Sequence, residues 1–311
     1  MRALVLAAGL GTRLQPLTLA RAKAAAPVDG EPLVRRTIRW LGDHGLHDLV
    51  INLHYKPESI TAVVGDGSDL GARVRYSFES PVLGSAGGPR HALPLLLSGS
   101  DERTCVLVNG DTLTTVDLAA MIEQHRRSGA AVTMALIPNP RPDKYGSVLL
   151  DGQQAVTGFT RRGVAGFHFI GPQVIEVDAF MSLPDGVPSE TVLGLYPQLI
   201  AGRRGSVMGF VSDAAFKDIG TPADLLQTSL DLAAADGRPD CPNRGRGVRV
   251  APTAAVSRSV LWDDVTIGDG AQLYECVVAD GVTIPDGASY RRSAIANDRG
   301  TLVVQPLGSL E

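Results

Sequence analysis

The 311-residue chain combines 44% hydrophobic with 20% charged residues, a balance typical of globular domains and unlike that of a long disordered chain. Its formal net charge of −4 argues against a nucleic-acid-binding surface, and its apolar runs are too short to cross a membrane. We therefore expect a cytoplasmic protein with no nucleic-acid or membrane partner, long enough for one large domain and a small one.

The three cysteines, Cys105, Cys241 and Cys276, are far apart and odd in number. Their spacing matches neither a disulfide framework nor a zinc site. This cysteine usage fits a reducing compartment.

The first element is a short apolar run at residues 3–8, which ends in a glycine-rich turn at residues 9–13. Two glycines let the backbone turn tightly and direct N–H groups outward, which favours anion binding. Arg13 adds a planar fork that suits phosphate oxygens, and Lys23 adds a compact positive charge. The stretch 7–28 therefore predicts a polyphosphate site with nucleotide contacts from Ala8, Gly9, Gly11, Thr12 and Arg13.

Beyond this turn, helix-like and strand-like patterns alternate. The spacing of apolar residues predicts helices over residues 31–42, 57–64 and 90–97, and strands over residues 48–53, 73–78 and 104–108. Such alternation predicts an α/β fold with a Rossmann-like, doubly wound mixed sheet and a ligand site at the carboxyl ends of its strands.

A segment rich in small residues, residues 79–90, follows the strand predicted over 73–78. Its small residues would let a flat base lie against the backbone, and a carboxylate such as that of Glu79 suits the N–H donors on the edge of guanine. We predict base contacts from Glu79, Gly84 and Ser85. The same backbone would also suit a uridine or thymidine nucleotide, and a plain glycine-rich loop is the alternative.

Two carboxylates follow apolar segments and have no obvious structural task. Asp111 lies at the tip of the strand predicted over 104–108, where a carboxylate suits a hard cation. Thr115 or Asp117 can cap the helix predicted over 118–126, which leaves Asp111 for another role. Far along the chain, Thr221 and Pro222 have the pattern of a helix start, and this pattern does not account for Asp218 before it.

The C-terminal part repeats. Residues 236–247 are rich in Gly, Pro and Arg and predict a linker. Three units that begin at Val250, Ile267 and Ile284 then align without gaps at a period of 17 residues. Three units are about the minimum for a stacked coil.

Four of these segments together resemble the sugar-1-phosphate nucleotidyltransferases, also called NDP-sugar pyrophosphorylases, of the mannose-1-phosphate guanylyltransferase type. The resemblance rests on G-x-G-T-R-L-x-P-L-T from Gly9, on Leu-Gly-Ser-Ala-Gly from Leu83, on the Gly-Asp that ends at Asp111, and on Asp-Ile-Gly-Thr-Pro from Asp218. The coil is similar to the left-handed β-helix that many of these enzymes carry.

The resemblance implies roles for particular residues. Arg13 and Lys23 would be catalytic, Asn109 would join the nucleotide contacts, and Asp111 and Asp218 would bind Mg²⁺. Tyr145 and Gly146 match the strand that touches the sugar. The predicted sugar-phosphate contacts are Lys23, Tyr145, Gly146, Arg161 and Arg162.

The chain departs from the family pattern in two places. Ala22 precedes Lys23 where the family usually has proline, and Phe-Thr-Arg-Arg-Gly from Phe159 stands in place of Phe-x-Glu-Lys-Pro. Arg161 or Arg162 would replace the missing lysine, whereas no carboxylate replaces the glutamate. Acyltransferases built on the coil use a histidine, and none follows His168, so a structural or homo-oligomer-forming role is expected for the coil.

We therefore expect a nucleotidyltransferase domain at residues 1–235, a linker at 236–247, and a short left-handed β-helix with a tail at 248–311. The expected reaction joins an NTP and a sugar 1-phosphate into a nucleotide sugar and releases pyrophosphate, with GTP and mannose 1-phosphate as the first choice. UTP or dTTP with glucose 1-phosphate is the alternative. A catalytically silent subunit that senses nucleotide sugars is a third hypothesis, and acyl transfer in the coil is a fourth.

Overall fold

The structure is a computed structural model that describes residues 1–240 and 242–308. The chain forms two compact units, each discontinuous in sequence. Unit 1 comprises Met1–Gly9, Thr37–Pro57 and Val64–Phe216, and unit 2 comprises Leu10–Arg36, Glu58–Val63 and the chain from Lys217 onward. The domain limits at residues 235 and 248 stay a prediction.

The strands that precede the C-terminal coil are, in chain order, β1 (Arg2–Leu6), β2 (Pro27–Val28), β3 (Glu31–Pro32), β4 (Asp48–Leu53), β5 (Arg73–Phe78), β6 (Thr104–Asn109), β7 (Thr112–Thr114), β8 (Val132–Pro138), β9 (Val148–Leu150), β10 (Val156–Phe159), β11 (Phe167–Glu176), β12 (Val207–Val211) and β13 (Phe216–Asp218). The helices are α1 (Leu33–Asp43), α2 (Pro57–Val64), α3 (Gly84–Leu97), α4 (Leu118–Ser128), α5 (Asp178–Met181), α6 (Tyr196–Gly202) and α7 (Pro222–Ala235).

A mixed sheet forms the centre of unit 1. Strands β6, β1, β4 and β5 lie side by side and parallel, and β11 joins β6 in the antiparallel direction. The apolar residues 3–5 of β1 and 105–108 of β6 are almost wholly buried, as expected for parallel strands covered on both faces. The prediction of a doubly wound mixed sheet is confirmed, and β1, β4, β5 and β6 all end at one edge.

Most predicted elements agree closely with the structure, although Glu31 and Pro32, at the start of the helix predicted over 31–42, form β3, and α1 begins at Leu33. The strands over 48–53 and 73–78 and the helix over 57–64 have the predicted bounds. The helix expected from residue 90, however, begins at Gly84. The carbonyl of Ser189 accepts from the N–H groups of Ala86 and Gly87 at 2.9 and 3.1 Å. This distant carbonyl provides partners for N–H groups in the first helical turn, so the glycine-rich run is helical there.

The C-terminal coil in unit 2 consists of the strands β14 (Arg249–Val250), β15 (Ala255–Ser257), β16 (Val260–Leu261), β17 (Thr266–Ile267), β18 (Gln272–Tyr274), β19 (Val277–Val278), β20 (Thr283–Ile284), β21 (Ser289–Arg291), β22 (Ser293–Asp298) and β23 (Thr301–Pro306). Val250 pairs with Ile267, and Ile267 with Ile284, in parallel. These pairs confirm the period of 17 residues, and the recurring apolar residues form the core of the coil.

Helix α7 begins as its sequence predicts. The Thr221 side chain accepts from the N–H of Asp224, whose side chain in turn accepts from the N–H of Thr221, and Pro222 occupies the first turn. Asp117 caps α4 by accepting from Ala120 N at 2.9 Å. Both caps leave the neighbouring aspartates, Asp218 and Asp111, outside the capping interactions.

Among the described residues, no helix has the length and apolar character that a membrane span requires. Cys105 and Cys276 are buried free thiols. Cys241 lies outside the described residues.

Candidate active site

The phosphate loop, residues 10–28, lies in unit 2 and folds back on itself at Gly11. Gly11 has a φ of 62°, and a Cβ at this position would lie 2.9 Å from Thr18 Cγ2 and 3.0 Å from Lys23 Cβ. The Thr18 hydroxyl donates to the Gly11 carbonyl at 3.3 Å. Both the backbone angle and the close approach require glycine here.

Lys23 is held tightly by this fold. It opens a short helical turn, Lys23–Ala25, and only 9% of the residue is exposed. Ala22, which replaces the usual proline, donates its N–H to Ser59 Oγ at 2.9 Å. Proline has no N–H and could not form this bond, so the departure from the family pattern is accompanied by a local contact that fixes the backbone before Lys23.

Arg13 and Asp218 are brought together in unit 2. A Cβ at Gly220 would lie 3.0 Å from Arg13 Nη1 and 3.3 Å from Asp218 Oδ2. Gly220 therefore leaves room for both charged groups, and this explains the glycine of the Asp-Ile-Gly-Thr-Pro motif. A guanidinium beside a carboxylate suits a phosphate chain that carries a cation.

In unit 1, Ala8, Gly9 and Asn109 lie at the edge where β1 and β6 end. Leu6 pairs with Asn109, and Gly110 N donates to the Leu6 carbonyl at 2.9 Å. This backbone pair fixes the start of the Asn109-Gly110-Asp111 turn beside the first turn of the chain. The geometry matches the expected place of a ligand at the carboxyl ends of parallel strands.

The structure gives Glu79 a different task from the predicted base contact. Its carboxylate is buried, with 1% of the residue exposed. Oε1 accepts from Asn52 Nδ2 at 2.6 Å, and Oε2 accepts from Leu83 N at 2.9 Å. Asn52 Oδ1 in turn accepts from Ala7 N at 2.6 Å. Because both carboxylate oxygens serve internal donors, Glu79 links the end of β1 to the base loop, residues 79–90.

Gly84 and Ser85, the other predicted base contacts, lie at the start of α3. The Ser85 hydroxyl contacts Glu190 Oε2 and lies 3.1 Å from Thr191 Oγ1. A Cβ at Gly84 would lie 2.6 Å from Glu190 Oε1. These contacts place the carboxylate of Glu190, an exposed residue, at the base loop. Its position 105 residues from Ser85 gave no local signal in the sequence.

Tyr145 and Gly146 follow β8, close to a second residue that the sequence analysis missed. The Tyr145 ring lies 4.2 Å from that of His168, measured between centroids. Burial lowers the pKa of His168 to about 4, so the ring is neutral at ordinary pH. The backbone at Gly146 lies close to the Thr160 carbonyl, because a Cβ at Gly146 would be only 2.6 Å from its oxygen.

Arg161 and Arg162 lie in an exposed turn after β10. Gly163 N donates to the Pro142 carbonyl at 2.7 Å, which holds this turn to the segment that precedes Tyr145. The two arginines and the Tyr145 ring therefore belong to one part of unit 1.

The residues proposed for Mg²⁺ fit a hard cation in kind. Among the described residues, no group of three or more His, Cys, Asp and Glu side chains is close enough to hold a metal ion. Mg²⁺ commonly uses only one or two carboxylates and takes its other oxygens from water and substrate phosphates. Asp111 belongs to unit 1 and Asp218 to unit 2, and their joint role stays a prediction.

Comparison with known proteins agrees with this geometry. Residues 2–162 match the nucleotidyl transferase family model, and residues 245–300 match the GlmU-like C-terminal hexapeptide model. The chain is 30% identical to a mannose-1-phosphate guanylyltransferase of Mycobacterium tuberculosis, over 86% of this chain and 81% of that protein. It is 26% identical to a UTP–glucose-1-phosphate uridylyltransferase of Synechocystis, over 86% of this chain and 72% of that protein.

A solved structure shares the fold. The crystal structure of HddC from Yersinia pseudotuberculosis complexed with GMP-PN has a TM-score of 0.63 and 23% identity, and the match covers 73% of this chain and 97% of that one. The family match over more than half of the chain, together with the fold and the placement of the four motifs, shows that this protein belongs to the nucleotidyl transferase family and carries a C-terminal hexapeptide-repeat coil.

Proposed function

We propose that the protein joins GTP and mannose 1-phosphate into a guanosine-diphosphate sugar and releases pyrophosphate. The observation that carries the choice of base is the exposed carboxylate of Glu190 beside Gly84 and Ser85. A carboxylate accepts from the two N–H groups on the guanine edge, whereas the corresponding edge of uracil and thymine offers one N–H between two carbonyls. The similarity to a mannose-1-phosphate guanylyltransferase supports the same choice.

The attacking group is an oxygen of the sugar phosphate. Its second pKa is about 6, so the phosphate is mostly dianionic at neutral pH and needs no general base. The oxygen forms a bond to the α-phosphorus while the bond from that phosphorus to the β-phosphate oxygen breaks. Catalysis is then positioning and charge neutralisation.

Arg13 has the geometry to hold the departing β- and γ-phosphates, since its planar fork can donate to two oxygens at once. Lys23 would contact the α-phosphate or the sugar phosphate. Its burial against Gly11 restricts the side chain before the substrate arrives, and such pre-organisation lowers the entropy lost on binding. When bound at Asp111 and Asp218, Mg²⁺ would supply further neutralisation of phosphate charge.

The sugar end would rest on unit 1. The Tyr145 ring, backed by the neutral His168 ring, offers an apolar face to a hexose ring. Arg161 and Arg162 would then offer charge to the sugar phosphate, in place of the missing Glu-Lys-Pro.

A second candidate is a UTP–glucose-1-phosphate uridylyltransferase, which the similarity to the Synechocystis enzyme favours. In both cases the location is proposed to be cytoplasmic. Assembly of the coil into a homo-oligomer is also proposed, and sedimentation of the purified protein tests it.

The test is release of pyrophosphate with Mg²⁺, with GTP, UTP, dTTP, ATP and CTP each combined with mannose 1-phosphate and glucose 1-phosphate. We expect the highest kcat/KM for GTP with mannose 1-phosphate. A Glu190→Gln variant should lose preference for GTP over UTP by about tenfold, which corresponds to one charge-assisted hydrogen bond. Equal use of UTP by the unmodified protein would contradict the choice of base.

A further inference from the structure

Unit 2 contains a polar cavity of about 370 Å³ outside the predicted transferase residues. Its walls come from the phosphate loop and the residues after it, from α2, and from the segment that enters the coil. The charged lining consists of Arg21, Arg35, Arg244, Arg246 and Asp263. The charged lining of this cavity is therefore mostly positive, although the formal net charge of the chain is −4.

Much of the negative charge nearby is already matched. Arg21 donates to Asp280 Oδ1 and to Asp263 Oδ2, both at 2.6 Å. Burial disfavours the charge on Arg21, but its bonds to Asp280 and Asp263 outweigh this effect and raise its pKa. Arg21 is thus matched by these two aspartates, and three further arginines, Arg35, Arg244 and Arg246, also line the cavity.

Two of the remaining arginines are directed by contacts with the wall. Arg35 Nη1 donates to the Val63 carbonyl at 2.8 Å. Arg246 N donates to Asp263 Oδ1 at 2.8 Å, while the Arg246 guanidinium stays 91% exposed and approaches Asp263 only to 3.4 Å. Arg244 is also exposed. Guanidinium groups arranged around one cavity are suited to bidentate contacts with phosphate oxygens.

We propose that this cavity is a binding site for a small phosphorylated metabolite that carries at least two anionic groups. Arg244 and Arg246 would bind one group and Arg35 the other, while the Arg21 pairs keep the wall in place. The lining does not include Arg13 or Lys23, so the site takes a ligand in addition to the substrates. A bound anion would connect the phosphate-loop region to the coil segment and so stabilise unit 2.

The test is isothermal titration calorimetry of the full chain with 2,3-bisphosphoglycerate and, separately, with inorganic phosphate. We expect one saturable site, and tighter binding of the bisphosphate than of phosphate. The Arg244→Gln/Arg246→Gln double variant should bind at least about tenfold more weakly, since two charge-assisted contacts are lost.

The matched control is Arg291→Gln/Arg299→Gln, which removes the same charge from the coil outside the cavity. It should bind like the unmodified protein, and the melting temperature of each variant without ligand shows that it folds. Absence of saturable binding, or an equal loss in both double variants, would overturn the proposal. Because calorimetry requires no turnover, the result is independent of the proposed reaction.

Discussion

The phosphate loop and the base loop are both glycine-rich, but they are held in different ways. In the phosphate loop, Gly11 packs directly on Thr18 and Lys23, so backbone geometry fixes the fold and the Arg13 guanidinium is left beside Gly220. In the base loop, the carboxylate of Glu79 fixes the fold by accepting from Asn52 and Leu83. A residue that looks suited to a ligand can thus serve the architecture, and we propose that Glu190 contacts the base instead.

The largest expected effect is on the phosphate loop. Arg13→Gln removes a guanidinium that has no substitute in its geometry, and kcat/KM should fall by about 10²–10³, the range found when one transition-state donor is lost. Arg13→Lys keeps the charge but lacks the planar guanidinium, so its kcat/KM should lie between that of the unmodified protein and that of Arg13→Gln. Steady-state kinetics of pyrophosphate release gives the measurement, and an activity within threefold of the unmodified protein would remove Arg13 from the mechanism.

Substitution of Glu79, which holds the base loop, should lower the free energy of unfolding. Glu79→Gln places an NH₂ group opposite either Asn52 Nδ2 or Leu83 N, so two donors meet in a buried position. We expect a loss of about 3 kcal/mol in the free energy of unfolding, as for a buried charged group that loses a partner. Urea denaturation measures this loss. Ser85→Ala, which removes a hydroxyl at the loop surface, is the control and should cost less than about 1 kcal/mol.

If Glu79 binds guanine directly, the pattern would be different. Glu79→Gln would then leave the unfolding free energy unchanged and raise KM for GTP alone. That outcome would restore the role predicted from the sequence.

Substitution of Gly11 in the phosphate loop, compared with that of Gly45 elsewhere in the chain, distinguishes the effect of backbone strain from that of close packing. Gly11→Ala forces a side chain into a left-handed conformation and against Thr18 and Lys23, and should cost about 2 kcal/mol. Gly45→Ala is the matched control, because Gly45 has a φ of 77° and nothing within 4 Å of the added Cβ. Equal losses in the two variants would show that strain alone matters and that the packing of Gly11 on Lys23 does not.

The smallest expected effect concerns the contact between the rings of Tyr145 and His168. The pKa of His168 is lowered to about 4 by burial, so the folded state favours the neutral ring. Its contribution to stability is complete above pH 6.5 and is lost as the pH falls from 6.5 to 4. His168→Phe keeps a ring on Tyr145 and removes the titration.

As the pH falls across that window, the unfolding free energy of the unmodified protein should therefore decrease by about 1 kcal/mol or more relative to that of the His168→Phe variant, since each pKa unit is about 1.4 kcal/mol. Urea denaturation at pH 7.5, 5.5 and 4.5 measures it. Parallel curves would show that His168 does not carry a lowered pKa.

Local patterns predicted much of the fold. The period of 17 residues defined the coil because every turn repeats the same apolar contacts, and the caps at Thr221 and Asp117 follow from bonds within four residues. The start of α3 at Gly84 was missed, because its first N–H groups depend on the Ser189 carbonyl. Glu190 was missed for the same reason: its proximity to Ser85 arises only from the tertiary fold.

The candidate site shows the same limit. The motifs predicted roles for Arg13, Lys23 and Asp218, and the structure places Arg13 and Asp218 around Gly220. The base contact of Glu79, in contrast, was predicted from its residue type and from its place in the segment rich in small residues, residues 79–90. Asn52, which accepts from Ala7 and donates to Glu79, lies on another strand, and no local pattern links these residues.

The most direct test of the central claim follows the oxygen atoms. Mannose 1-phosphate labelled with ¹⁸O at its three terminal phosphate oxygens is incubated with GTP, Mg²⁺ and the protein, and the products are analysed by mass spectrometry. Attack by the sugar phosphate on the α-phosphorus predicts a nucleotide sugar that retains all three labels and pyrophosphate that carries none. Label in pyrophosphate, or GTP consumed without a labelled nucleotide sugar, would contradict the account.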